Sequence, residues 1–304
     1  MTAEPLRLAA VATGAPLLLG TGHVPLLLPA SFRLDELIRS AHKTIDEAVK
    51  KYKLTELWAA FSGGHDSLVM THLVSQHPLF RGVLHIDTGI GVPECRQFVE
   101  RICRFYDWKL IVKMPATTYP MLTIRYAFPG PPMHQEMYKY LKERPLRQAV
   151  IEAKAGRKKT VIGKCGGMRS QESARREQNT EPYNKGKEGI WISPIHNWTA
   201  FDCLDYLRAF DIPRSPVKDK IHKSGDCLCG SFAKEGELEE LDLWYPETAR
   251  KIRNIQAIVK LSKELGITDQ PARRCEWGHG AGVPQAQLKL PMCWNCSIAS
   301  TEAL

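Results

Sequence analysis

The feature that most constrains the fold is a six-residue loop, Ser62-Gly63-Gly64-His65-Asp66-Ser67, set between two segments of different periodicity. Before it, LWAAF (57–61) is a short apolar run of the kind that forms a buried strand. After it, LVMTHLVSQ carries apolar residues at helical spacing. Two glycines between a strand and a helix let the backbone turn sharply and bring N–H groups close to an anion. Ser62 and Ser67 add hydroxyl donors, and a helix starting near Ser67 aims its N-terminal dipole at the same point. This is the chemistry of a phosphate cradle. The G-x-x-x-x-G-K-[ST] lysine is missing, so it is not the P-loop of that signature. Asp66 is a poor neighbour for phosphate unless a cation intervenes, which leaves two roles open: bracing the loop, or holding Mg2+.

The alternation continues on both sides. From Ser31, read as an N-cap, FRLDELIRSAHKTIDEAVKKY has the spacing of an amphipathic helix. GVLHID (82–87), WKLIVKM (108–114), KTVIG (159–163) and GIWISPI (189–195) read as further strands, with helices over about 93–106 and from near Thr199. Strands alternating with helices predict an α/β fold with a mostly parallel sheet and helices on both faces. Between the third and fourth strands lies the long segment 117–158, in which FPGPP (128–132) marks a turn or mobile loop. Residues 1–30 are apolar but broken by four prolines, with little charge ahead of the apolar run and no small-x-small site. They read as an extended N-terminal arm rather than a secretion signal. The expected organisation is this arm, a nucleotide-binding domain over 31–220, and a helical, Cys-rich module over 221–304.

At 304 residues the chain has room for one large α/β domain with a smaller appendage. Its apolar fraction of 43 % and charged fraction of 25 % exclude wholesale disorder or a fibre. No apolar window is long enough to suggest a membrane-spanning helix, and the expected location is the cytoplasm. A net charge of +9 suits anionic ligands, nucleotides or nucleic acid. Nine cysteines are too sparse for a disulfide scaffold. Five of them, Cys227, Cys229, Cys275, Cys293 and Cys296, crowd the last third in a pattern more like metal ligation than packing. Four thiolates of this set could hold an iron–sulfur cluster or a zinc ion; Cys275, His279, Cys293 and Cys296 form a rival zinc set.

SGGHDS resembles the pyrophosphate loop of the adenine nucleotide α-hydrolase superfamily. HIDTGIGVPECRQFVERICRFYDW (85–108), GKCGGMRSQESARR (163–176) and ISPIHNWTAFDCLDYLRAFDIP (192–213) are similar, in the same order, to segments of its phosphoadenosine phosphosulfate (PAPS) reductase branch. The resemblance implies a Rossmann-like fold that binds an adenine nucleotide, ATP or PAPS, at the carboxyl ends of the strands. It implies that Ser62, Gly63, Gly64, Asp66 and Ser67 hold phosphates, and that Asp87, Thr88 and Gly89 close the nucleotide site. Arg169, Ser173 and Arg176 would meet the substrate's anionic end. The stretch from Lys154 to Arg176, with eight Lys/Arg against one Asp/Glu, agrees in sign, and guanidinium forks suit phosphate or sulfate.

Two departures bear on the reaction. The reductases of this branch carry a nucleophilic cysteine in a Glu-Cys-Gly-x-His context, which this sequence lacks; Cys275-Glu276-Trp277-Gly278-His279 only scrambles it. The iron–sulfur members place a Cys-Cys pair before a K-x-x-PL element, whereas here the place reads YLKERPLRQA (140–149). The expected function is therefore an ATP pyrophosphatase, similar to those of DNA phosphorothioation or RNA thiolation. It would activate an acceptor for sulfur transfer, with DNA or tRNA and a sulfur-donor protein such as a cysteine desulfurase as partners. Reduction of PAPS or adenylyl sulfate to sulfite is one alternative, and a non-catalytic nucleotide-sensing module another.

Overall fold

Strand β1 (Glu56–Ala60) shows why the sheet is buried on both sides. Successive side chains leave a strand on opposite faces. Leu57 and Ala59 enter one apolar cluster with Ala41, Ile45, Leu68 and Phe98, while Trp58 enters another with Leu84, Ile111 and Ala149. A computed structural model of the protein describes residues 29–172, 180–186, 189–267 and 275–278. The chain divides into two units, residues 1–33 and 34–304, and the architecture below is that of the second.

Six strands form one sheet in the order β3-β2-β1-β4-β6-β5. They are β1, β2 (Phe80–Ile86), β3 (Leu110–Lys113), β4 (Ile162–Gly166), β5 (Tyr183–Gly186) and β6 (Gly189–Ile192). All neighbours run parallel except β5, which pairs antiparallel with β6 at the edge. The chain steps from β1 outward to β2 and β3, then returns to add β4 on the other side of β1. The junction of β1 and β4 is thus a topological switch point, where open α/β sheets place ligands beyond the carboxyl ends of the strands. Helices α1 (Pro29–Tyr52), α2 (His65–Ser75), α3 (Pro93–Phe105) and α7 (Ala200–Ala209) supply residues to the cluster on one face. Helix α6 (Arg144–Lys154) supplies the cluster on the other. The Rossmann-like α/β expectation holds.

Several boundaries differ from the sequence reading. Helix α1 begins at Pro29 rather than being capped by Ser31, as proline is tolerated in a first turn; residues 1–28 lie outside the described residues. The fourth strand runs 162–166 instead of 159–163, and β5, a mostly exposed YNKG segment, carries no apolar alternation to announce it. The 117–158 segment is largely helical: α4 (Tyr119–Tyr126), α5 (His134–Tyr138), a π turn over Lys139–Glu143, and α6. The helix expected from near Thr199 is α7, and Thr199 caps it through a capping box with Asp202.

A third apolar cluster joins Ile90, Val92, Cys95, Tyr119 and Phe128 to Val217, Leu228, Ile252 and Ile255. The short helix α8 (Pro216–Ile221), α9 (Glu237–Trp244) and α10 (Pro246–Glu264) therefore share a core with the β2–α3 loop and α4. Among the described residues no helix is long and apolar enough to cross a membrane.

Candidate functional site

The loop after β1 is shaped by its glycines. Gly63 has φ +86°, and a Cβ there would lie 2.7 Å from the Cys95 Sγ; a side chain would meet both a strained backbone and an occupied space. Helix α2 starts at His65, two residues earlier than the sequence suggested, with Gly64 as an N-cap that makes no side-chain cap. Asp66 therefore lies in the first turn, where a carboxylate suits the helix dipole. The N–H groups of that turn have no partner within the helix. Ser62 and Ser67 bond to each other, Oγ to Oγ at 2.9 Å, and Ser67 Oγ donates to the Gly64 carbonyl at 3.0 Å. In this state the two hydroxyls close the loop on itself. From beneath, the Cys95 thiol donates to the Ser62 carbonyl at 3.1 Å, and burial pushes its pKa up, so it stays protonated. His85 of β2 holds the Phe61 carbonyl at 2.8 Å.

The switch point brings Asp66 and Arg169 together. Arg169 Nη2 donates to Asp66 Oδ2 at 3.0 Å across 103 residues of chain. The close fit depends on Gly167, where a Cβ would sit 2.7 Å from the Ser67 backbone N and Cα. Arg169 is only 8 % exposed, and its Nε is buried with no hydrogen-bond partner. The Cys203 thiol donates to Asp66 as well, its pKa raised first by burial. Beside them His65, 7 % exposed, has a buried Nε2 without a hydrogen bond, its nearest acid being Asp219 at 3.6 Å. Burial lowers the pKa of His65, outweighing the attraction of Asp219. Bracing is the role of Asp66 visible here.

Asp87, Thr88 and Gly89 form the loop after β2. Asp87 accepts from the Gly89 N–H at 2.9 Å and from Arg96 at 3.0 Å. Thr88 donates to the Asp226 carbonyl at 2.6 Å, and Val92 N–H to the Gly225 carbonyl at 2.7 Å. The segment 224–228 is thereby tied to the β2 loop. Its Asp226 side chain pairs with Lys142 and accepts from Ser224 at 2.6 Å. Burial alone would raise the Asp226 pKa, but Lys142 and Ser224 reverse this and hold it low. His65, Lys142, Ser224 and Asp226 were not singled out from the sequence. Lys142 and Asp226 are 84 residues apart, and no local pattern connects them.

Cys227 and Cys229 lie on the next turn, with their side chains hydrogen-bonded to each other. The Cys227 thiol hydrogen-bonds Cys229 and holds its pKa well below the ordinary thiol range against burial, helped by His134 and Ser231. Cys275 lies on a segment anchored nearby by Trp277, whose Nε1 donates to the Leu228 carbonyl at 2.8 Å. Among the described residues no group of three or more His, Cys, Asp or Glu could hold a metal ion. Cys293, Cys296, His279, Ser173 and Arg176 lie outside the described residues.

Comparison with known proteins places this geometry. A phosphoadenosine 5'-phosphosulfate reductase of Xanthomonas euvesicatoria pv. vesicatoria (strain 85-10) is 31 % identical over 169 residues. The match covers 54 % of this chain and 66 %, just under two thirds, of that relative. A protein of the same name from Xylella fastidiosa (strain M23) is 27 % identical over 187 residues, covering 60 % of this chain and 75 % of that one. Among solved structures, a PAPS reductase from Candida auris in complex with phosphate matches with TM-score 0.44 and 18 % identity. It covers 65 % of this chain and 94 % of that one. The U34-tRNA thiolase NcsA from Methanococcus maripaludis, with its [4Fe-4S] cluster, matches with TM-score 0.44 and 16 % identity, covering 78 % and 79 %. The sequence model of the phosphoadenosine phosphosulfate reductase domain matches residues 56–231, from the first residue of β1 through the cysteine pair. By that match, over more than half of its length, the chain belongs to the phosphoadenosine phosphosulfate reductase domain family.

Proposed function

We propose that the protein binds ATP at the carboxyl end of the sheet and splits it to AMP and pyrophosphate, activating an acceptor for sulfur transfer. The observation that carries this reading is the Asp66–Arg169 pair at the switch point. It fixes a guanidinium, with one buried N–H unspent, beside the first turn of α2, whose N–H groups have no partner within the helix. An acceptor oxygen attacks the α-phosphorus, the bond from that phosphorus to the bridging oxygen breaks, and pyrophosphate leaves with its charge spread over its oxygens. Arg169 and the first turn of α2 would stabilise that charge, with Gly63 and Gly64 giving the phosphates close approach. The acceptor then carries AMP on the attacking oxygen, and AMP leaves with that oxygen when the donor's sulfur takes its place. Asp87, Thr88 and Gly89 would wall the nucleotide, and Ser173 and Arg176 would reach its anionic end. Asp66, with Oδ2 on Arg169, has a second carboxylate oxygen that could meet Mg2+. When bound, the ion would supply further charge neutralisation to the phosphates. The acceptor is a DNA or tRNA strand held through its phosphates, with sulfur from a donor such as a cysteine desulfurase. Cys227 and Cys229 supply two soft donors on one turn, and two of Cys275, Cys293 and Cys296 would complete an iron–sulfur or zinc site.

A second reading, reduction of a sulfonucleotide to sulfite, is supported by the likeness to phosphoadenosine 5'-phosphosulfate reductases and by the hydrogen-bonded cysteine pair Cys227 and Cys229, in which Cys227 lowers the pKa of Cys229. Protein purified without oxygen and offered ATP and PAPS separately, with and without DNA or tRNA, separates the two. The expected products are AMP and pyrophosphate from ATP, in larger amount when nucleic acid is present. Sulfite from PAPS, with no pyrophosphate from ATP, overturns the first reading in favour of the second. Nucleotide binding with neither product would point to a sensing module.

A further inference from the structure

Gly91 and Pro93, at the end of the β2 loop, also border a cleft of about 380 Å3. Its other walls are Pro120 of α4 and the first turns of α10. That volume lies in the range that encloses a small organic ligand, roughly 300–1,000 Å3. None of the residues assigned above to the phosphates lines it.

The lining has two characters. Pro93, Pro120 and the buried Ile255 present flat or apolar surface, while Arg250, Lys251 and Asn254 present polar groups from adjacent turns of α10. Arg250 is paired with Glu247, but the two side chains are 65 % and 74 % exposed. Such a pair is screened by water and gives way at little cost. The Lys251 ammonium donates to the Gly89 carbonyl, within the loop expected to close the nucleotide site. A guanidinium suits a phosphate through two parallel N–H bonds. The Asn254 amide offers both donors and an acceptor to the edge of a base, and the apolar walls suit a base's face.

We infer that this cleft holds a second nucleotide unit, one base with its phosphate, separate from the nucleotide at the Ser62–Ser67 loop. Arg250 takes the phosphate and Asn254 the base edge. Lys251 connects the cleft to the β2 loop through Gly89. The unit comes either from a free nucleotide or from one residue of a nucleic-acid strand. This inference does not depend on what the first nucleotide undergoes, so a failure to find pyrophosphate leaves it standing.

Titration calorimetry of the full chain with AMP, and separately with a short single-stranded oligonucleotide, tests it. The variants are Arg169→Met at the phosphate loop, the pair Arg250→Glu and Asn254→Ala in the cleft, and all three together. Arg250 and Asn254 are both exposed, so unchanged melting would show that the cleft variants fold. The Arg169→Met protein should still bind a probe, and adding the cleft changes should weaken that binding at least about tenfold. Retention of AMP identifies a free nucleotide as the source, and retention of the oligonucleotide alone identifies a strand. Loss of all binding in Arg169→Met, or binding unchanged by the cleft variants, overturns the inference.

Discussion

Two carboxylates with arginine partners, Glu56 buried and Asp66 half-buried, sit at opposite ends of the same sheet, and the saturation of their arginines differs. At the amino end of β1, Glu56 Oε1 meets Arg157 Nη1 at 2.7 Å, while Oε2 accepts from Trp58 Nε1 at 3.1 Å and Arg157 Nη2 at 3.2 Å. The same guanidinium also donates to the carbonyls of Ala153 at 2.8 Å and Lys154 at 3.0 Å. At the carboxyl end, Arg169 spends Nη2 on Asp66 but leaves Nε buried without a partner, and His65 Nε2, in the first turn of α2, makes no hydrogen bond, with Asp219 3.6 Å away. Buried polar groups left unpaired are costly, so native proteins satisfy nearly all of them. A satisfied cluster locks the fold. An unsatisfied one, at a switch point and beside a helix N-terminus, supports the binding role proposed for it.

The sharpest way to break this comparison is to remove the two arginines in turn. Arg169→Met should lower nucleotide turnover by about 10²- to 10³-fold, the usual cost of losing one preorganised donor, with a small change in melting temperature. Steady-state kinetics beside a thermal melt reads both, and near-normal turnover would remove Arg169 from the site.

Next in size is a pH effect on the α2 helix away from the loop. Burial lowers the pKa of His72 from 6.5 to about 4, with Nδ1 and Tyr206 Oη 2.8 Å apart. The unfolded chain takes up a proton below pH 6.5 that the folded His72 refuses until about pH 4. Stability is therefore full above 6.5 and falls as the pH drops through that window, by roughly 3 kcal/mol from this residue. His72→Gln should flatten the slope of unfolding free energy between those values. It should not abolish it, because His42, His65 and His85 shift the same way. An unchanged slope would mean that His72 is hydrated in solution.

The smallest of the three is Arg157→Met. Glu56 keeps its Trp58 donor, and half of the Arg157 side chain is exposed. The expected loss is about 2 kcal/mol of stability, with turnover retained below the melting point. Denaturant unfolding measures the first and kinetics the second. A selective loss of turnover here would erase the distinction between the two ends.

Much of this was legible in local pattern. The strand–loop–helix around Gly63 and Gly64, the start of α7 near Thr199 and the turn carrying Asp87, Thr88 and Gly89 each depend on neighbours within a few residues. What escaped had no such signal. β5 is a polar YNKG edge that packs on the core through Tyr183. The α5–α6 run was hidden by Pro131, Pro132 and Pro145, yet Pro145 lies in the first turn of α6, where proline is tolerated.

The sequence by itself determined the α/β class, the family and the place of the Ser62–Ser67 loop between β1 and α2, because alternating periodicities, ordered motifs and a glycine pair act over short stretches of chain. Only the tertiary structure decided which charges meet. Arg169 finds Asp66 because β4 lies beside β1, and Lys142 finds Asp226 because α8–α10 share a core with the β2 loop and α4. Sequence spacing carries no record of such pairings. They follow from strand order and from the burial that makes an unpaired charge too costly to leave alone.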